Sequence, residues 1–257
     1  MKKGILLFSF LTFFLFLNGQ ESIDLNPLKE ALITNGVYTP QKNYKYQVTK
    51  LDAKGDILSK EVVYMRIPTE LNTEAYDNGR VNFIWEYPNH ETYETTLSPT
   101  SKAITGYDWV SADTTTLSFD EQLYLHPMRD NQYYQTEVSA HPSIKFSNLE
   151  DGKYETKIVI LNGFGKYKMQ EYLSKHTVIG KRDFKMNEEV VDCYEITAET
   201  TVEGFSFGSS KGKRHEIFGE AEVINKTTSL VSGKYGFVKI HYEFYDGEQL
   251  FMEMVEF

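Results

Sequence analysis

One pentapeptide has the spacing of a nucleophile. Gly204-Phe205-Ser206-Phe207-Gly208 matches G-x-S-x-G. In α/β-hydrolases that spacing works because a sharp turn from strand to helix lifts the serine oxygen clear of the sheet. Here Ser209-Ser210-Lys211-Gly212-Lys213 follow, and these residues start a helix poorly. An acid and then a histidine should come later in the chain, an order that Glu220 and His241 fill. A loop between two strands explains the same residues without chemistry and is the preferred reading. A serine hydrolase using Ser206 stays as the remote alternative, to be dismissed if a fluorophosphonate fails to label it.

Other chemistry is thinly represented. The histidines are His90, His126, His141, His176, His215 and His241, and none has a histidine or cysteine at metal-ligand spacing. No metal site and no cofactor is expected. Glu195, Glu199 and Glu203 share one face of a strand, but four residues of strand span roughly 13 Å, beyond the separation of a glycosidase pair. They read as a solvated face. Gly163-Phe164-Gly165 lacks the third glycine and the helix of a dinucleotide loop. Cys193, the only cysteine, sits in an apolar run and reads as a small buried hydrophobe. Asp113-Thr114-Thr115 resembles a short bacterial O-glycosylation site, and Asn225-Lys226-Thr227 is a eukaryote-type acceptor. No catalytic residue is assigned, and the protein reads as non-enzymatic.

These residues need a scaffold, and the alternation of the chain describes one. Tyr44, Tyr46 and Val48 alternate with polar residues, and Val63, Met65 and Ile67 do the same beyond the turn at 52–56. Val81, Phe83, Trp85 and Tyr87 form another face. Further strands are expected at 158–161, 167–178 (with Ile179 and Gly180 at the end) and 190–202, and 216–225 leads into another. Val238, Ile240, Tyr242 and Phe244 then oppose Lys239, His241 and Glu243, and 250–257 pairs back as the last hairpin strand. A short helix is expected over 26–36, capped by Asn26, with Leu28, Leu32 and Ile33 as its apolar face. The stretch 88–146 carries four prolines and resists assignment, apart from one helical turn at 118–121. Strands that follow one another through short turns give a mainly β fold: a curved antiparallel sheet or half-open β-barrel with one or two short helices.

Residues 1–20 combine Lys2 and Lys3, an apolar run over 5–17 and a small polar end at Asn18-Gly19-Gln20. That is the pattern of a removable secretion signal, too short to span a bilayer. Cleavage after Gly19 or Gln20 leaves 21–257 as a single β-rich domain. No cysteine follows the apolar run, so no lipid anchor and no integral membrane segment is expected after cleavage. Loss of Lys2 and Lys3 takes the net charge from −10 to −12. Such a chain is a poor partner for nucleic acid, which needs clustered Lys and Arg. The one basic cluster, Lys211, Lys213 and Arg214, lies in a Gly/Ser stretch. Export without a cysteine pair points to a Gram-negative periplasm or beyond, with the protein soluble once the signal is removed.

The segments Val191-Asp192-Cys193-Tyr194-Glu195-Ile196, Tyr235-Gly236-Phe237-Val238-Lys239 and Asp246-Gly247 share a cadence with Tyr38-Thr39-Pro40, Tyr44-Lys45-Tyr46 and Asp52-Ala53-Lys54-Gly55 near the start. Together they resemble the TapB/domain-of-unknown-function group of exported bacterial β proteins, similar in fold to the LolA-type lipoprotein carriers. The leader ending resembles those of Bacteroidetes. The resemblance implies a half-open barrel with a hydrophobic concave face and transfers no catalytic residue. Eighteen Tyr and seventeen Phe supply aromatics for such a face. The leading expectation is an envelope protein holding a lipid, acyl chain or other apolar small molecule on a surface lined by Phe83, Trp85, Ile240 and Tyr242. The alternative is a structural or assembly partner of another envelope protein.

Overall fold

The computed structural model describes residues 23–69, 80–88, 104–111, 122–125, 128, 133–146, 149–162, 168–206 and 223–257. Among these residues twelve strands form one sheet. They are β1 (Asn43–Leu51), β2 (Ile57–Arg66), β3 (Arg80–Glu86), β4 (Ile104–Ser111), β5 (Gln122–Leu125), β6 (Ser143–Lys145), β7 (Lys153–Asn162), β8 (Lys168–Met186), β9 (Glu189–Ser206), β10 (Val223–Ser232), β11 (Gly236–Phe244) and β12 (Gln249–Glu256). Their spatial order is β6-β5-β4-β3-β2-β1-β12-β11-β10-β9-β8-β7. The sheet is therefore two six-stranded meanders, β1–β6 and β7–β12, joined where the last strand pairs antiparallel with the first. Every ladder is antiparallel, so neighbours connect through hairpins and no crossover helix is needed.

Alternation sets which face is buried. Tyr44, Tyr46 and Val48 are buried on β1, as are Val63 and Met65 on β2, while the residues between them are at least partly exposed. The β1–β2 turn is closed by Asp52, whose carboxylate accepts the Lys54 and Asp56 backbone N–H groups at 2.8 and 2.9 Å. The sheet curves until its two edge strands touch: Tyr154 of β7 donates its hydroxyl to the Ser143 carbonyl of β6. No ladder joins β6 to β7 among the described residues, so the curve is not closed into a barrel.

Two expected boundaries move. Gly180 does not end a strand: β8 runs on to Met186, and Gly180 sits at a bulge between Val178 and Gly180 with φ 138, which only glycine adopts easily. The long hairpin β8–β9 results. Asn26 does not cap α1 (Asn26–Thr34); it is the first helical residue, and its backbone N–H is accepted by the Asp24 carboxylate at 3.0 Å. Leu28 and Leu32 are buried as expected, whereas Ile33 is exposed. α1 seals one end of the curved sheet, where Asn35 Nδ2 donates to the Gly233 carbonyl at 2.9 Å.

The stretch 88–146 contributes three strands, β4 to β6, and the single-turn helix α2 (Tyr134–Glu137). Its prolines and short strands hide the alternation. The expected turn at 118–121 lies outside the described residues.

Candidate functional site

Directly opposed residues in antiparallel strands point to the same face, so the register identifies what lines the concave side. One row runs Thr156–Ser174–Thr200–Asn225–Phe244 across β7 to β11. The next runs Tyr154–His176–Ala198–Thr227–Tyr242–Leu250 across β7 to β12. These two rows are largely polar over β7–β10, between apolar rows that hold Ile158, Tyr172 and Val202 on one side and Val178 and Ile196 on the other. The concave face is aromatic over β11, β1 and β3, where Tyr242, Tyr44, Tyr46, Phe83 and Trp85 are almost fully buried.

The four predicted lining residues all face this interior. Phe83 and Trp85 make edge-on ring contact at 5.5 Å, and Trp85 meets Tyr46 at 5.9 Å. Ile240 and Tyr242 stand on β11, beyond β2, β1 and β12 from Phe83 and Trp85 on β3. All four belong to one core, shared with Leu123, Leu125, Met128, Tyr133 and Ile144 from the segment that sequence reasoning left unassigned. The described residues of that segment thus contribute to the core on the concave side. Burial raises the pKa of Tyr242, so its phenol stays neutral. The Trp85 indole nitrogen is buried without a hydrogen-bond partner among the described residues.

Residues 133–143 form a strap across the polar half. Tyr133 donates its hydroxyl to the Glu61 carboxylate on β2. Gln135 Nε2 donates to Asp246 Oδ2 at 2.8 Å in the β11–β12 turn. Asn225 Nδ2 donates to the Val138 carbonyl at 3.1 Å, and Tyr154 holds Ser143 at 2.5 Å. The strap therefore touches β2, β10 and β7 in turn. Beneath it Ser174 and Thr200 share a hydrogen bond at 2.9 Å, and Thr156 meets His176 Nε2 at 2.8 Å. His176 lies flat on Tyr154, with ring centroids 4.5 Å apart. Burial pushes its pKa down to about 4, so the imidazole is neutral at neutral pH.

Among the described residues, three atoms of this half have no partner: Asn225 Oδ1, Thr227 Oγ1 and Ser143 Oγ. Their residues are 4%, 3% and 1% exposed. Leaving such an atom unsatisfied costs about 1–3 kcal/mol. Sequence reasoning missed this floor. Asn225, Thr227 and Ser229 sit two apart, and nothing in their own residue types marks them as buried; the signal that does is their register against Phe244, Tyr242 and Ile240. The buried Asn225, in a strand and bonded through Nδ2, is closed to glycosylation.

The remaining candidates stand apart. Ser206 is the last residue of β9, paired with Lys168, and Phe207, Gly208 and Glu220 lie outside the described residues. Lys211, Lys213, Arg214 and Asp113-Thr114-Thr115 also lie outside, in part or whole. His241 is on the convex face, stacked on Phe251 at 4.0 Å and bonded to Gln249. Glu195 pairs with Arg182 at 2.5 Å and Glu199 with Lys226 at 3.2 Å, as expected of a solvated face. Cys193 is buried, and burial pushes its thiol up to about 12. Among the described residues no cluster of His, Cys, Asp and Glu could hold a metal, and no helix is long and apolar enough to cross a membrane.

No family model and no curated protein matches this chain. Among solved structures it is similar to a putative lipoprotein from Parabacteroides distasonis ATCC 8503, with 13% identity and a TM-score of 0.39, over 86% of this chain and 97% of that one. The hypothetical lipoprotein YmcC from Escherichia coli is similar at 9% identity and a TM-score of 0.32, over 82% and 86%. Neither is described as a TapB or LolA protein, and at these scores the likeness carries no assignment.

Proposed function

We propose that this is an exported, non-enzymatic envelope protein that holds an apolar ligand, such as an acyl chain, on the concave face of its sheet. The leader pattern of residues 1–20 supports export. The observation that carries the ligand reading is the aromatic part of the concave face, where Phe83, Trp85, Ile240 and Tyr242 pack in one core with Tyr133 of the strap. A strap held to the sheet by a few side-chain hydrogen bonds is easier to displace than a packed sheet, and the Trp85 indole nitrogen in the same core has no partner among the described residues. Native mass spectrometry of protein purified from the envelope tests this. One acyl-chain adduct per chain is expected. A bare mass, together with no change in tryptophan fluorescence on adding oleate, overturns it.

A second reading, an assembly partner for another envelope protein, draws on a different observation. Ile57, Leu58 and Tyr245 are 65%, 53% and 72% exposed. They flank the β1–β2 and β11–β12 turns, which lie so close that a Cβ on Gly247 would come within 2.8 Å of Ala53. Exposed large apolar groups gathered at one end suit a protein contact. A photocrosslinker at Tyr245 should then trap one protein partner in cells, and no adduct would count against it.

A further inference from the structure

We propose that the polar floor beneath the strap is a binding site for a neutral polyhydroxyl group, sugar-like or glycerol-like, received chiefly by Asn225 and Thr227. Both residues stand on β10, two apart and facing the same way, so their side chains are spaced roughly 7 Å along the strand. Asn225 Oδ1 requires a donor, and Thr227 Oγ1 both donates and accepts. A hydroxyl group answers each of them, and two hydroxyls on one small molecule span both.

The chemistry of the wall limits the ligand's charge. From β7 to β11 the two rows that form the floor hold Ser, Thr, Asn, Ala, neutral His and aromatic residues, with no acid, Lys or Arg. A charged ligand buried here would lack a counter-ion, a heavy penalty at low dielectric. The flat Tyr154–His176 pair and the aromatic Tyr242 beside Thr227 offer apolar faces for the C–H side of a sugar ring. The strap is held over Asn225 by the hydrogen bond to the Val138 carbonyl and by packing of Val138 against Tyr172, Val202 and Ile224, so entry requires it to lift from both. This site is separate from the apolar-ligand reading and stands whether or not the aromatic half holds a chain.

The group could arrive as a free sugar or as a lipid headgroup. Saturation-transfer NMR of the purified protein with glucose tests the first source. Flotation with phosphatidylcholine vesicles, with and without a monoglucosyl diacylglycerol, tests the second. Binding is expected in at least one arm, and flotation, where it occurs, should depend on the glucolipid. Asn225→Leu should weaken it by about tenfold or more, the loss of one or two hydrogen bonds. Thr227→Val keeps the side-chain shape, so it tests the same point if Asn225→Leu does not fold. Failure to bind in both arms overturns the proposal and leaves ordered water as the partner of these atoms. Flotation equal without the glucolipid, or binding unchanged by Thr227→Val, also overturns it.

Discussion

The Tyr154 hydroxyl lies 2.5 Å from the Ser143 carbonyl, joining the outermost strand of one meander to the outermost strand of the other. Tyr154 is buried, and burial raises its pKa, so it stays a hydrogen-bond donor across the physiological range. Removing only that oxygen tests how much this contact holds the curve. Tyr154→Phe should lower unfolding stability by about 1–2 kcal/mol in urea titration. A change within about 0.5 kcal/mol, ordinary for a surface site, would mean that the edges are held together elsewhere.

His176 should make the protein acid-sensitive. Its folded pKa is depressed to about 4 from 6.5 because burial disfavours the imidazolium. Above pH 6.5 both folded and unfolded forms are neutral here, and the residue imposes no pH dependence. Between pH 6.5 and 4 the unfolded chain binds the proton and the folded chain does not. Stability therefore falls as pH drops, by roughly 3 kcal/mol in all. His176→Gln should flatten the dependence in that window when urea midpoints are compared at pH 7, 5 and 4. Parallel curves for the two proteins would sink the idea.

Cys193 should be silent in the folded protein. It is buried on β9, and its thiol is pushed up to about 12 by burial and then by Asp192 and Asp183. The thiolate is the reactive form, so a thiol reagent such as Ellman's should find almost none at pH 8 until the chain is unfolded in urea. Stoichiometric reaction of the native protein within minutes would contradict this.

The sheet was legible wherever one face is apolar and the other polar. Tyr44, Tyr46 and Val48, and again Val238, Ile240, Tyr242 and Phe244, announce both strand and buried face. The aromatic wall was legible for the same reason. The polar floor was not, because alternation cannot tell an outward Asn225 or Thr227 from an inward one lying under a strap. Only the register against β11 decides it. β5 and β6 escaped because they are four and three residues long, too short for a period of two to stand out. Gly180 misled because a glycine at a bulge and a glycine at a strand end look alike in one sequence.

Gly236 should prove among the least replaceable positions. It has φ 79, and a Cβ there would lie 2.4–2.7 Å from the Tyr38 ring and hydroxyl. That ring cannot retreat: Tyr38 is buried, its hydroxyl accepts the Phe237 N–H at 2.8 Å, and its own N–H donates to the Tyr44 hydroxyl at 2.8 Å. Gly55 has a similar φ of 88 with nothing within 4 Å of its Cβ position. Gly55→Ala should therefore cost only the backbone strain, about 1–2 kcal/mol, whereas Gly236→Ala adds overpacking of about 1–3 kcal/mol. Thermal unfolding of the two variants side by side separates the terms. If Gly236→Ala melts no lower than Gly55→Ala, the Tyr38 ring is not fixed against the β10–β11 turn, and the tyrosines do not lock that end of the sheet.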